Sequence, residues 1–532
     1  MVLLGLVTAI GSGGGNGGDG SSPVLEDVTP FNNEFAAGIL VEINGELTFS
    51  DADGNLDGGT FVYQYGGQIQ GISLPPELEG ITAATVQFTL LAQLNDDIGE
   101  FLIPCWLVDR AGNRSNIIEV PFHQVWTRQY GTADEDKALA ITRDLNDNVI
   151  VAGTTQGDLD GETNSGQQDV FVSKFNDGAI KQWTTVYGSG QGDVATGVAT
   201  DIEGNIYVTG FTNSTTMFDG QMPIGLADAF ISRLDTDGNL VWTVLLGTTA
   251  DDKSHGIVIN ASNTIFITGE TFGDLAQTNA GQNDVFVAAY NSTGVQLWNR
   301  QIGTNRSDFA KGIALNSADG VFIAGGTEGV LGDEDPTPGD PQINFDAFVA
   351  SYDLSGNRIW TRQIGTPGAE WAEAVAASGG KSYITGMIFT NAIGSDPALG
   401  LRDAFLAGIE TDGSLLFTRQ FGSDEYDQGM AVDVDSANNI YVTGLVNSVY
   451  IPGDTDDGDI MIYKFDELGA GDWNLQFGEA SLADQGHAMM IGATNLIYIA
   501  GFTESGLDGH TNAGSASADI FVMRFDSLGV KQ

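Results

Sequence analysis

Residues 51–59 read DADGNLDGG. Asp51, Asp53, Asn55 and Asp57 carry side-chain oxygens at alternate positions, the spacing a hard cation such as Ca2+ prefers. A second loop, VDRAGNRSN at 108–116, adds Asp109 and Asn113. In a β-sandwich two such loops share one end, so the six residues form a candidate calcium site. The competing reading is a pair of solvated Asp-rich turns. An EF-hand would end on a placed Glu between helices, and neither feature is present. Weaker candidates are the loops 157–169 and 453–459.

Catalytic chemistry finds less support. The four histidines, His123, His255, His487 and His510, fall in no HExxH or other paired metal spacing. No GxSxG elbow and no phosphate loop with Lys after Gly is present. No catalytic residue is assigned and the expectation is a non-enzymatic protein. Glycoside hydrolysis needs only two carboxylates, and the chain has 71 acidic residues. A carbohydrate-active enzyme therefore stays open as the third reading, and it requires two non-repeated carboxylates facing each other across a central cavity.

The chain has 532 residues, 71 acidic against 20 basic, for a net charge of −51. Such a surface repels nucleic acid and anionic lipid, whose phosphates need Lys and Arg. Gly is abundant at 73 residues, which favours tight turns and short strands over helices. Cys105 is the single cysteine, so no intramolecular disulfide forms. Sequons at Asn113, Asn213, Asn260, Asn291 and Asn305 are as readily chance as signal.

One phrase organises most of the chain. Trp126 in VWTRQYG has counterparts at Trp183, Trp242, Trp298, Trp360, Phe417 and Trp473, spaced 56–62 residues apart. After each comes an acidic residue: Asp136, Asp193, Asp252, Asp308, Glu370, Glu425, Asp484. A small-residue strand and a Gly-terminated strand follow, then Asp before an apolar strand: Asp169, Asp228, Asp284, Asp346, Asp403, Asp459, Asp519. Alternation in DVFVSKF and Asp/Asn–Gly turns are strand and hairpin chemistry. Four short strands in seven copies point to a β-propeller. The last copy stops short of its aromatic strand while residues 123–131 stand alone before the first, so pairing of 123–131 with the C-terminus would close a ring. Residues present in every copy are architectural in this reading: the acids lock turns and the aromatics pack on the neighbouring copy. The phrases NIYVTGFT, GDLDGETNSGQQDVFVSKF and DTDGNLVWT resemble the seven-bladed β-propeller (SBBP) repeats of bacterial surface and secreted proteins. That resemblance spans residues 124–532 and implies fold and an exported setting, with no assigned activity. Phe417 in place of Trp and the Pro-rich loop 329–346 depart from it.

Residues 23–122 lack the phrase. Runs such as GILVEINGELTFSD and GEFLIPCWLVD read as strands, and the loops at 51–59 and 108–116 are similar to those of bacterial immunoglobulin-like modules. Before them, VLLGLVTAI at 2–10 and a Gly/Ser-rich tether to residue 22 are too short for a membrane span. They match either the core of a secretory signal or a strand donated to the sandwich or to a second subunit, giving a homo-oligomer. No Lys or Arg precedes Arg110.

The fold class expected is thus all-β, a seven-bladed β-propeller (123–532) preceded by an Ig-like β-sandwich (23–122). The expected function is an extracellular structural or adhesive surface protein, with a self-assembling filament or surface-layer subunit as its extreme form. The alternative is a propeller that binds glycan or protein through variable loops.

Overall fold

The structure is a computed structural model. It describes residues 8–10 and 22–532 apart from 31–33, 37–39, 52–55, 57–58, 66–67, 75–82, 94–98, 317–319, 332–343, 390–391, 395, 449–457, 479–481 and 515–516. Among the described residues the regular structure is β apart from two three-residue 3-10 turns, and no helix is long and apolar enough to cross a membrane. The chain divides into two compact units. One comprises residues 1–127 with 508–510 and 532; the other comprises 128–507 with 511–531.

The first unit is a sandwich of two sheets. Strands Val24–Pro30, Leu40–Ser50, Ala83–Gln93 and Thr8–Ile10 make one sheet. Glu34–Ala36, Ile118–Val125, Gly99–Val108, Thr60–Tyr65 and Gln68–Ser73 make the other. Inward-facing Leu47, Phe49, Phe61, Val86, Cys105 and Leu107 fill the space between them. Burial pushes the Cys105 thiol up to about 12, so this cysteine is a core residue and not a reactive one. Residues 8–10 pair antiparallel with 85–87 of the same chain.

The second unit is built from four-stranded antiparallel meanders. Five are separate sheets, among them 136–187, 193–246, 252–302 and 308–364. Two more, 370–421 and 426–477, are joined by one parallel bridge between Arg402 and Tyr426. The fifth separate sheet combines Asp484–Ile491, Ile497–Thr503 and Asp519–Phe525 with Thr127–Tyr130 from the other end of the repeat array. Each first strand packs on the sheet before it in the chain, and Asp136–Arg143 packs on Asp484–Ile491 and Ile497–Thr503. The neighbour relation is therefore cyclic.

Two repeated devices hold adjacent meanders. The first is a buried carboxylate at the start of each first strand. Asp136, Asp193, Asp252, Asp308 and Asp427 each accept a backbone N–H at 2.5 Å from the residue four positions earlier. Glu370 does the same at 2.9 Å from Thr366. In the sixth copy this role falls to Asp427 and not to Glu425, because the position is fixed by its distance from Gly422, and Glu425 sits within the turn, its N–H on Ser423 Oγ. The third-strand acids belong to the same knot. A Cβ on Gly188 would lie 2.9 Å from Asp193 Oδ2 while overlapping Asp169 Oδ1, so only Gly lets the two carboxylates approach. Burial raises Asp136, Asp169, Asp193, Asp252, Asp308 and Asp519 above the usual carboxylate range.

The second device joins the outer strands. Trp183, Trp298, Trp360 and Trp473 donate their indole N–H to a turn carbonyl of the next meander, at 3.3, 2.8, 3.0 and 3.2 Å. The same turns end in Gly with positive φ, such as Gly356 at 75°. These aromatics pack between copies, as their repetition predicts.

Gly356→Ala should destabilise the protein by about 1–3 kcal/mol, because its Cβ would lie 2.8 Å from Trp298 ring carbons at a φ that L-residues avoid. Gly190→Ala, whose Cβ would meet nothing within 4 Å, should change thermal unfolding little. Glu370 is fully buried, and burial pushes its carboxyl up to about 7, with Asp346 adding and Thr366 opposing. A folded-state value above the unfolded one means the native state holds a proton that the unfolded chain releases between about pH 4.5 and 7. Stability therefore falls as pH rises through that window. Denaturant titrations at about pH 5 and about pH 8 should show a loss on the order of 2 kcal/mol in the native chain that Glu370→Gln does not share.

Candidate functional site

The first strands share one irregularity. In each, the register with the second strand slips between the residues two and four positions after the knot acid: Ala138/Ala140, Ala195/Gly197, Ser254/Gly256, Ala310/Gly312, Ala372/Ala374, Gly429/Ala431 and Gly486/Ala488. The skipped residue is the extra one of a β-bulge, whose side chain is re-aimed out of the ladder. Those residues are Leu139, Thr196, His255, Lys311, Glu373, Met430 and His487. Together with the small and apolar residues that follow them, they line one cavity of about 360 Å3 at the centre of the second unit. The residue after each bulge is Gly or Ala because neighbouring backbones come close there; a Cβ on Gly312 would lie 2.6 Å from Val375 N.

The bulged position is thus where the copies differ, and its chemistry is uneven. Lys311 Nζ lies 3.0 Å from Glu373 Oε1 and 2.7 Å from Oε2. Trp371 Nε1 at 2.7 Å and Gln428 Nε2 at 2.8 Å also donate to Glu373 Oε1. His255 Nε2 stands 3.6 Å from Glu270 Oε1, and Asn283 Nδ2 donates to Glu270 Oε2 at 2.6 Å. Burial opposes ionisation of Glu270, yet His255, Asn283 and Lys253 together hold its carboxyl below the usual range. Burial pushes His487 down to about 4, with Lys311 and Lys137 adding to the effect and Glu373 opposing it, so it is a neutral imidazole at pH 7. Lys137 and Lys253, at the start of their strands, lie over the rings of Phe502 and Phe211, 4.7 and 5.2 Å from the centroids.

A recess of about 290 Å3 opens beside Lys311 and His255, lined also by Glu270, Phe309, Phe345 and Trp371. Its three aromatics contact one another, with centroids 5.3 Å apart for Phe309–Phe345 and 6.0 Å for Phe345–Trp371. Gly326 makes room for them: its Cβ would sit 2.8 Å from Phe309 and 3.0 Å from Trp371. Phe345 is the penultimate residue of the segment 329–346.

The sequence-derived calcium residues are placed only in part. Asp53, Asn55 and Asp57 lie outside the described residues, as do residues 453–457 of the weaker loop 453–459. Asp51 is buried. Asp109 is buried and accepts from Asn113 N at 2.7 Å and Asn113 Nδ2 at 2.8 Å, a closed turn. Gly59 brings the first loop beside this turn, since its Cβ would lie 3.3 Å from Asp109 Cα. Among the described residues no group of three or more His, Cys, Asp or Glu is placed to hold a metal. Loop composition pointed to the sandwich, whereas the polar cluster of the second unit arises from residues whose only sequence signal is a column that varies where its neighbours repeat.

The β-propeller repeat (SBBP) family matches residues 182–216. Regulatory protein FlaEY of Caulobacter vibrioides is 29% identical over 197 residues, 35% of this chain and 19% of that protein. An uncharacterised WD repeat-containing protein of Acanthamoeba polyphaga mimivirus is 24% identical over 318 residues, 45% of this chain and 23% of that one. The chain spans about a fifth of the length of these curated relatives. Among solved structures, a polysaccharide lyase, an ulvan lyase, is similar with TM-score 0.43 and 11% identity, covering 74% of this chain and 95% of that one. An α-L-arabinofuranosidase from Fusarium graminearum is similar with TM-score 0.39 and 8% identity, covering 77% and 99%. Repeat match, WD-repeat relative and the many four-stranded sheets support one conclusion: this is an all-β, β-propeller repeat protein.

Proposed function

We propose that the chain is an extracellular, adhesive surface protein that binds its ligand at the axis of a seven-bladed propeller, with an Ig-like module preceding the ring. The observation that carries this reading is the ring of bulges: repeated residues build seven equivalent strands, and each strand then presents to a common cavity a side chain from the one column that varies, six residue types among seven positions. Architecture needs no such variety. The cyclic packing of the meanders supports seven blades, and pairing of Thr127–Tyr130 in the last sheet supports closure by both ends of the array. Parallel pairing of Glu34–Ala36 with Ile118–Val125, inside a two-sheet sandwich, supports the Ig-like assignment.

Binding fits the axis better than hydrolysis. A two-carboxylate mechanism requires one carboxyl kept protonated to act as acid. Glu270 is held ionised, and Glu373 has its oxygens engaged by Lys311, Trp371 and Gln428.

A second reading, self-assembly through residues 2–10, has one observation in its favour. Among the described residues, 8–10 pair with three residues along one edge of the 11-residue strand Ala83–Gln93, and the edge of a sandwich sheet accepts added strands. If it holds, deleting residues 2–10 leaves a folded monomer and abolishes assemblies seen by sedimentation and electron microscopy; unchanged assembly contradicts it.

For the principal reading, thermal shifts of the full chain are measured against saccharides, nucleosides, amino acids and small carboxylates. A ligand should raise the unfolding temperature of the native protein and leave a Lys311→Met, Glu373→Met double variant unmoved. Equal stabilisation of both places the ligand away from the axis and contradicts the reading.

A further inference from the structure

We propose that the recess bounded by Trp371, Phe309 and Phe345 is a saccharide subsite that takes a neutral hexopyranose unit. This rests on the axial-binding reading and adds the chemical class of the ligand. Five observations converge on it. The recess, at about 290 Å3, lies at the small end of ligand pockets, roughly 300–1,000 Å3, with room for one or two sugar rings. Its walls combine half-buried aromatic rings with the polar groups of Lys311, His255 and Glu270, matching a pyranose, which has a C–H face and a rim of hydroxyls.

The polar groups retain capacity in both directions. Lys311 has three N–H donors and Glu373 engages two of them, leaving one to donate to a hydroxyl. Glu270 Oε1 faces His255 Nε2 at 3.6 Å, and its second lone pair can accept from one. His255 lines the same recess and can complete the contact.

Charge decides against the neighbouring ligand classes. Lys311 is matched by Glu373 in direct contact, and Glu270 lies beside His255 and in the field of Lys253, so neither an anionic nor a cationic ligand finds an unmatched opposite charge. A neutral polyol needs none. The site is also purpose-built: position 326 is Gly where the other copies carry Thr154, Phe211, Glu270, Met387, Leu445 and Phe502, and position 371 is Trp where they carry Lys137, Val194, Lys253, Phe309, Gln428 and Gln485. Trp371 stands outside the repeated aromatic column, and Gly326 provides the space it occupies.

The test titrates the full chain with methyl glycosides of glucose, galactose and mannose, then with methyl glucuronide, galactose 6-sulfate and adenosine, following tryptophan emission. One neutral glycoside should shift the emission of the native chain. The shift should vanish in Trp371→Phe, and affinity measured by calorimetry should fall about tenfold in His255→Ala, with both variants folded by circular dichroism. Should Trp371→Phe fail to fold, His255→Ala alone carries the comparison. Response only to the anionic sugars or adenosine overturns the saccharide assignment and leaves axial binding standing. Neutral-glycoside binding that neither variant weakens overturns the subsite. No response to any probe also overturns it, while the broader thermal-shift screen decides separately whether the axis binds anything.

Discussion

Each first strand of the array begins with a carboxylate removed from water, and that burial must be offset where the strand starts. The offset is local. A turn N–H four residues back and, in most copies, a hydroxyl on the second strand donate to the acid, as Thr132 and Thr155 do to Asp136. The third-strand acid of the preceding meander closes on the same Gly. An unpaired buried carboxylate would cost several kcal/mol, so the knot forms only when turn, first strand and preceding sheet are all in place. Everything nearer the axis inherits its register from this point.

That inherited register is what makes a site. The bulge falls three residues beyond the knot in every copy, so the side chain re-aimed toward the centre is the same position seven times. Positions that hold the knot cannot vary without leaving a charge stranded. The bulged position carries no ladder hydrogen bond that depends on its side chain, and so it is free to be Leu, Thr, His, Lys, Glu or Met. Uneven chemistry at the axis follows from even chemistry at the junctions. Some of that chemistry then couples across sheets: Glu373 is reached by Lys311 from the preceding meander and by Gln428 from the following one.

Much of the architecture was legible in the sequence because its causes are local and repeated. The Trp column, the Gly-terminated strands and the Asp/Asn–Gly turns each act within a few residues, and seven copies made them plain. The sixth acid was misread because GSDEYD offers Glu425 as well as Asp427, and only the fixed distance from Gly422 selects between them. The glutamines of the RQ phrases were passed over, although Gln301 and Gln363 bridge loop N–H groups to Asp284 and Asp346. The axial cluster was not legible by motif at all. His255 and His487 are far apart in sequence, and nothing in their spacing records that a cyclic order brings both to one cavity. Comparing the copies column by column for what differs would have exposed the bulged ring and Trp371. For the calcium loop the signal was composition, and composition cannot tell a ligand from a turn lock such as Asp109 with Asn113.

The central claim is a division of labour: repeated residues build the array and the bulged residues bind. It is tested most directly by giving the axis the residue one copy already uses, Thr196, through His255→Thr, Lys311→Thr, Glu373→Thr and His487→Thr together. The account predicts a folded variant whose unfolding temperature stays within a few degrees of the native protein and which no longer responds to the ligand that stabilises the native chain. A variant that fails to fold, or one that binds as the native chain does, would contradict it.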